Sequence, residues 1–283
     1  MKLISFVYNG VASFGAVVDA GVVDFRKVLD DRYIDIKSVL AANAVNELAE
    51  VLPTCKAHYA LEDVKQLPVI PNPGKIWCAG LNYGEHVRET GREINEMPTF
   101  FLRFADSLCA QGDEIPCPPE SGKLDYEAEL AVIIGKPGRR IKEADAWNHI
   151  AGYACFNDGS IRDWQKHSQQ WDPGKNFWKT GAFGPWMVTA DEIPANTLMT
   201  VESRLNGKTM QKATTDMMIH SIERQIAYTS TIAPLQPGDV IVTGTPGGIG
   251  ARREPPVWMK PGDHIEVLVD RVGCLSNVIV AED

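Results

Sequence analysis

The stretch Leu124-Asp125-Tyr126-Glu127-Ala128-Glu129-Leu130-Ala131-Val132-Ile133-Ile134-Gly135 decides how this chain is read. Most of it favours a strand, yet acidic residues are poor strand formers and three of them interrupt it. Strand side chains alternate between faces, so Asp125, Glu127 and Glu129 share one face. Tyr126, Ala128, Leu130 and Val132 share the other. Parallel carboxylates on one face repel unless something screens them. Three readings follow: an antiparallel strand with one wet face whose charges solvent and salt screen, acids paired with an arginine, or acids around a metal ion.

Around this stretch the chain reads as mainly β with short helices, an α+β protein. Residues 1–25 predict a small meander. Leu3 to Tyr8 form a strand, Asn9-Gly10 a tight hairpin turn, and Phe14 to Val18 the return. A second turn at Asp19-Ala20-Gly21 leads to Val22-Val23. Ile36, Val39, Leu40, Leu48, Val51 and Leu52 keep a helical period, with Asp35 as N-cap. The run Leu67-Pro68-Val69-Ile70-Pro71-Asn72-Pro73-Gly74 reads as a linker. It divides a small N-terminal domain, 1–70, from a main domain, 71–283. In the main domain, Pro237-Gly238-Asp239 and Pro261-Gly262-Asp263 are turns that each feed a strand. A helix is expected over 219–232, with Ile219, Ile222, Ile226 and Ile232 on one stripe. Strands with few crossover helices suggest a mostly antiparallel roll or sandwich.

The chain has 283 residues and a formal net charge of −9. That balance argues against a nucleic-acid or anionic-membrane partner. No apolar run approaches a membrane span, and the N-terminus lacks a signal-peptide segment. A cytoplasmic protein with reduced thiols is expected. None of the six cysteines has metal-site or redox-motif spacing. Cys78 and Cys155 sit in apolar runs and read as small core residues.

Other polar residues suggest chemistry. Asp158 ends the apolar run Gly152-Tyr153-Ala154-Cys155-Phe156-Asn157, where turn residues are common. Past it a short helix is expected to put Arg162 and Gln165 on one face. His86 and Glu89 are three apart, so on a helix the carboxylate reaches the imidazole and fixes its tautomer. The alternative is a solvated helix face. Lys175 follows Pro173-Gly174, as many loop lysines do. Gly244-Thr245-Pro246-Gly247-Gly248-Ile249-Gly250 is glycine-rich, but Pro255-Pro256 follows it instead of a helix, against a dinucleotide-binding turn.

Taken in order, these segments resemble the fumarylacetoacetate hydrolase family over residues 74–280. The marks are Gly80-Leu81-Asn82-Tyr83 with His86 and Glu89, then Asp125-Tyr126-Glu127-Ala128-Glu129-Leu130. Gly152-Tyr153, Asn157-Asp158 and Arg162-Asp163 come next, then Gly174-Lys175, Phe183-Gly184-Pro185-Trp186 and Thr243-Gly244-Thr245-Pro246-Gly247-Gly248. The resemblance implies the family's mixed β-sandwich roll in the C-terminal domain. It implies one divalent cation per subunit, Mg²⁺ or Mn²⁺ and sometimes Ca²⁺, on Glu127, Glu129 and Asp158. A set of three carboxylates suits such hard cations. It further implies a His86–Glu89 dyad on a mobile segment, with Lys175, Arg162 and Gln165 facing the substrate and Thr245 holding its carboxylate. The expected activity is hydrolysis of a C–C bond in an acylpyruvate-type 1,3-dicarbonyl acid through a metal-stabilised enolate. Isomerisation of a 2-hydroxy-diene dioate or decarboxylation of an oxo-acid, as in aromatic catabolism, is the alternative. The partner is then a small carboxylic acid, and the assembly a homodimer. Phe101-Leu102-Arg103-Phe104 departs from the Phe-Leu-Lys-Pro of many relatives. With Trp171, Phe177 and Trp178 it is expected to shape the substrate end.

Overall fold

The computed structural model describes residues 1–282. An eleven-stranded sheet has Gly21–Asp24 at one end of its main path and Thr99–Arg103 at the other. Its centre is Gly181–Thr189, Ile150–Asp158, Ala128–Ile134 and Val240–Val242, in that order. The neighbouring pairs among these are antiparallel, whereas Val240–Val242 runs parallel to Ile76–Gly80. A five-stranded sheet of Lys208–Thr214, Thr200–Leu205, His264–Val269, Gly273–Ala281 and Glu114–Cys117 covers one face.

The central strands are buried on both sides, and their alternation sorts them between two cores. Leu130, Val132 and Ile134 pack with Val201, Val267 and Leu275 of the five-stranded sheet. Ala131 and Ile133 pack the other way, with Phe156 and with Ile36, Val39 and Leu48 from the N-terminal helices. The half-wet reading of Leu124–Gly135 therefore fails: Asp125, Glu127 and Glu129 are 0%, 4% and 1% exposed.

The N-terminal residues join the main sheet directly, because Lys2 and Leu3 pair with Val188 and Met187. The hairpin turns at Asn9 and Gly10, with φ of 48° and 79°, the geometry of a tight hairpin. Asp35 caps its helix: its side chain accepts from the Ser38 N–H at 2.7 Å, while Ser38 Oγ accepts from the Asp35 N–H. The expected single helix is two, Ile36–Ala41 and Val45–Val51, because Asn43 turns into the left-handed region at φ 53°. The later helix starts at Ile222, past the Ser221 cap. Ile219 lies outside it, its N–H bonded to the Asn82 carbonyl. No helix of the described residues is long and apolar enough to cross a membrane. All six cysteines are free, and burial pushes the Cys109 thiol up to about 12.

Candidate active site

Glu127, Glu129 and Asp158 meet because two adjacent strands end together. Ala128 lies opposite Asn157, and Glu129 opposite Phe156. Glu127 and Asp158 thus face each other at the strand ends, with the Asp158 N–H donating to the Glu127 carbonyl at 2.9 Å. Glu129 lies two residues from Ala131, and Asp158 two from Phe156, so both point to the side of the N-terminal core. One carboxylate oxygen from each of the three residues lies within 4.8 Å of the others. The strand is interrupted at Tyr126 and Glu127, between Leu124–Asp125 and Ala128–Ile134. There Asn157 Oδ1 accepts from the Glu127 N–H, and Gln211 Oε1 from the Ala128 N–H.

Like charges directly opposite on a sheet are destabilising, and buried charges need partners. Here the partners are three buried cations. Arg162 donates through Nε to Asp125 at 2.8 Å, through Nη2 to Glu127 at 2.7 Å and through Nη1 to Gln165 at 3.0 Å. Lys175 Nζ bridges Glu127 at 2.5 Å and Asp158 at 2.6 Å. Arg103 donates to Asp158 Oδ1, to the Gly159 carbonyl and to the Thr180 hydroxyl.

These contacts divide the three acids unequally. Burial pushes Glu127 upward, but Arg162 and then Lys175 outweigh it and hold the carboxyl well below the usual range. Among the described residues, the Glu129 carboxylate accepts one hydrogen bond, from the Gly244 N–H at 2.5 Å. Burial, then the nearby Asp158 and Glu127, drive it well above the usual range. Burial also works against the Lys175 charge, yet Asp158 and Glu127 outweigh it, so the ammonium stays protonated. With Asp125 included, four buried carboxylates face three buried cations. Were all four ionised, one negative charge would be in excess; without a metal, the proton that balances it belongs on Glu129, the group with no cation of its own. A divalent cation on Glu127, Glu129 and Asp158 fits this set: the donors are hard oxygens, and the site already draws an ammonium between two of them.

The dyad lies on helix Gly84–Thr90, not on a solvated face. His86 is 6% exposed, and its Nδ1 lies 2.7 Å from Glu89 Oε1. Glu89 Oε2 in turn accepts from the Gly248 N–H at 2.8 Å. The glycine-rich loop turns N–H groups toward the protein's own acids. Gly244 reaches Glu129, Gly248 reaches Glu89, and Gly250 and Ala251 reach Asp125. Gly244 is required there: its φ is 106°, and a Cβ would stand 2.6 Å from Asn82 Cβ.

His86, Glu127, Glu129, Arg162, Gln165, Lys175 and Thr245 all line one cavity of about 950 Å³. Glu89 and Asp158 stand behind it, each bonded to a lining residue. Thr245 Oγ1 donates to the Ala128 carbonyl and accepts from Gln211 Nε2. Past Asp158 the expected helix is a short strand, Ser160–Ile161, and a single turn, Trp164–Lys166. Of the expected aromatics, Phe101 and Trp171 line the cavity, Trp171 pressed so close to Gly80 that a Cβ there would lie 2.3 Å from the indole. Phe177 packs on Trp164 instead, and Trp178 is exposed. Arg103 does not shape the substrate end; it is 3% exposed and braces Asp158 from behind. An arginine inside an apolar strand was the one sign of this in the sequence.

The family model for the fumarylacetoacetate hydrolase C-terminal domain matches residues 75–280. An oxaloacetate tautomerase described as mitochondrial, from Xenopus laevis, is 41% identical over 220 residues, which are 77% of this chain and 69% of that protein. A fumarylacetoacetate hydrolase domain-containing protein 2 homologue from Dictyostelium discoideum is 35% identical across 98% of this chain and 96% of its own length. Among solved structures, maleylpyruvate hydrolase from Sphingobium sp. SYK-6, in complex with manganese(II) and pyruvate, superposes with a TM-score of 0.82. It is 27% identical, with both chains covered completely.

Proposed function

Because the chain belongs to the fumarylacetoacetate hydrolase family, whose members are enzymes, we propose that it catalyses proton transfer at the carbon beside the oxo group of a 2-oxo acid. One observation carries this reading: the His86–Glu89 dyad opens into the same cavity as the buried carboxylate trio. A divalent cation held by Glu127, Glu129 and Asp158, Mg²⁺ or Mn²⁺, would stabilise negative charge on the oxo oxygen.

The side chains supply the rest. Glu89 binds His86 Nδ1, which leaves Nε2 as the ring nitrogen able to exchange a proton. Nε2 takes the proton from C3, and the C–H electron pair becomes the C2–C3 double bond as charge passes to the oxygen. The imidazolium then returns the proton to that oxygen, and keto and enol forms interconvert with nothing consumed. The Gly248 N–H holds Glu89, and so the ring, in place. Lys175 and Arg162 keep Glu127 ionised.

The tautomerase at 41% identity favours proton transfer as the productive step. Hydrolysis of an acylpyruvate is the second reading, supported by the likeness to maleylpyruvate hydrolase and by a dyad equally able to deprotonate water. Product analysis separates them: an enol–keto change, two carbon fragments, or CO₂ if decarboxylation follows. With Mg²⁺ or Mn²⁺ present, the ultraviolet absorbance of enol-oxaloacetate should decay faster with the protein than without it. H86Q should lower that acceleration by roughly 10²- to 10⁴-fold, the range for a general base. An H86Q chain as fast as the wild type removes His86 from the mechanism. Cleavage of acylpyruvates without any tautomerisation makes the second reading the correct one.

A further inference from the structure

We propose that a second anion-binding position lies at the mouth of the cavity, formed by Arg92 and Arg252, and that it selects substrates carrying a distal carboxylate. The proposal rests on the proton-transfer reading and names the substrate class it serves.

The reasoning starts from which cations have donors to spare. The inner three are already engaged: Arg162 with Asp125, Glu127 and Gln165, Lys175 with Glu127 and Asp158, and Arg103 with Asp158, Gly159 and Thr180. An oxo-acid bound at the carboxylate trio therefore finds its second charge-pairing partner farther out. Arg92 and Arg252 line the same cavity and are exposed. Among the described residues, the Arg92 guanidinium has no hydrogen-bond partner; it lies 5.2 Å from the centroid of the Trp171 ring. Arg252 makes one long hydrogen bond, Nη2 to the Thr90 carbonyl at 3.3 Å. Lys123 and Lys166 line the cavity too and reinforce the positive mouth. Guanidinium forks match a carboxylate's two oxygens.

The two arginines flank the dyad. The Arg92 N–H bonds the Val87 carbonyl at the end of the helix that carries His86 and Glu89. Arg252 ends the turn whose Gly250 and Ala251 N–H groups hold Asp125, and its bond to Thr90 ties that turn to the same helix. Oxo-diacids fit this arrangement, and neutral-tailed acylpyruvates do not.

The test is calorimetric binding of L-malate and of its 4-amide, malamate, to Mg²⁺-loaded protein, since neither tautomerises. The wild type should bind malate roughly tenfold more tightly, as two partly exposed charge pairs allow. That preference should shrink with added salt, collapse toward unity in the R92Q/R252Q double variant and persist in R92K/R252K. Equal affinities in the wild type, or a preference that survives R92Q/R252Q, would overturn the proposal. Enol-oxaloacetate decay is followed in parallel: malate selectivity without tautomerisation refutes the proton-transfer reading and leaves the anion position standing.

Discussion

Two glutamates two residues apart should respond unequally to the same substitution. Glu127 is bonded to Arg162 and Lys175, whereas Glu129 is bonded to the Gly244 N–H and crowded by two other acids. Glutamine is isosteric and neutral. E129Q removes a charge that the metal-free protein resists, and the amide oxygen can still accept from Gly244. Its metal-free stability should stay within about 1 kcal/mol of wild type, as for an ordinary tolerated substitution. E127Q instead strands part of the charge on two buried cations. Breaking a buried pair from one side costs about 3–5 kcal/mol. Both variants lose a metal ligand. Saturating the wild type at a hundredfold over Kd adds about 2.7 kcal/mol. For a chain this long that is a rise in Tm on the order of 5 °C. The assay is thermal unfolding with EDTA and then with Mn²⁺. Expected are a wild-type rise, no rise in either variant, and a metal-free Tm lowered in E127Q alone. The reasoning is refuted if E129Q costs as much as E127Q, or if E129Q keeps the full metal-induced rise.

Two further substitutions probe the scaffold. R103M should cost about 3–5 kcal/mol by urea unfolding, because Asp158 would lose a buried cation at Oδ1, with R103K costing less. D35A should cost about 1 kcal/mol by the same measurement, the usual value of an N-cap, with no effect on metal binding.

The alternation of Leu124–Gly135 made the shared face of the three acids legible, and it placed Tyr126, Ala128, Leu130 and Val132 together in one core. It did not reveal that the acidic face is dry. That depends on residues far along the chain: Arg162 for Asp125, Lys175 for Glu127 and Gly244 for Glu129. The break at Tyr126–Glu127 was hidden for the same reason, since the backbone there is satisfied by the side chains of Asn157 and Gln211. In the sequence Arg103 stands out only as a departure at the substrate end, because nothing local shows that its partner is Asp158. The helix split at Asn43 was invisible to periodicity, since apolar residues on both sides stay in the same core. In the sequence the glycine-rich loop reads only as a poor match to a dinucleotide-binding turn. Its N–H groups do bind oxyanions, but those of Glu129, Glu89 and Asp125.

The central claim is that Glu127, Glu129 and Asp158 form one divalent-cation site. Titration with Mn²⁺, following the free aquo ion by electron paramagnetic resonance, tests it most directly. One saturable site per chain, absent in D158A and E129Q, is the predicted result. No saturable site in the wild type, or a site that persists in D158A, would contradict it.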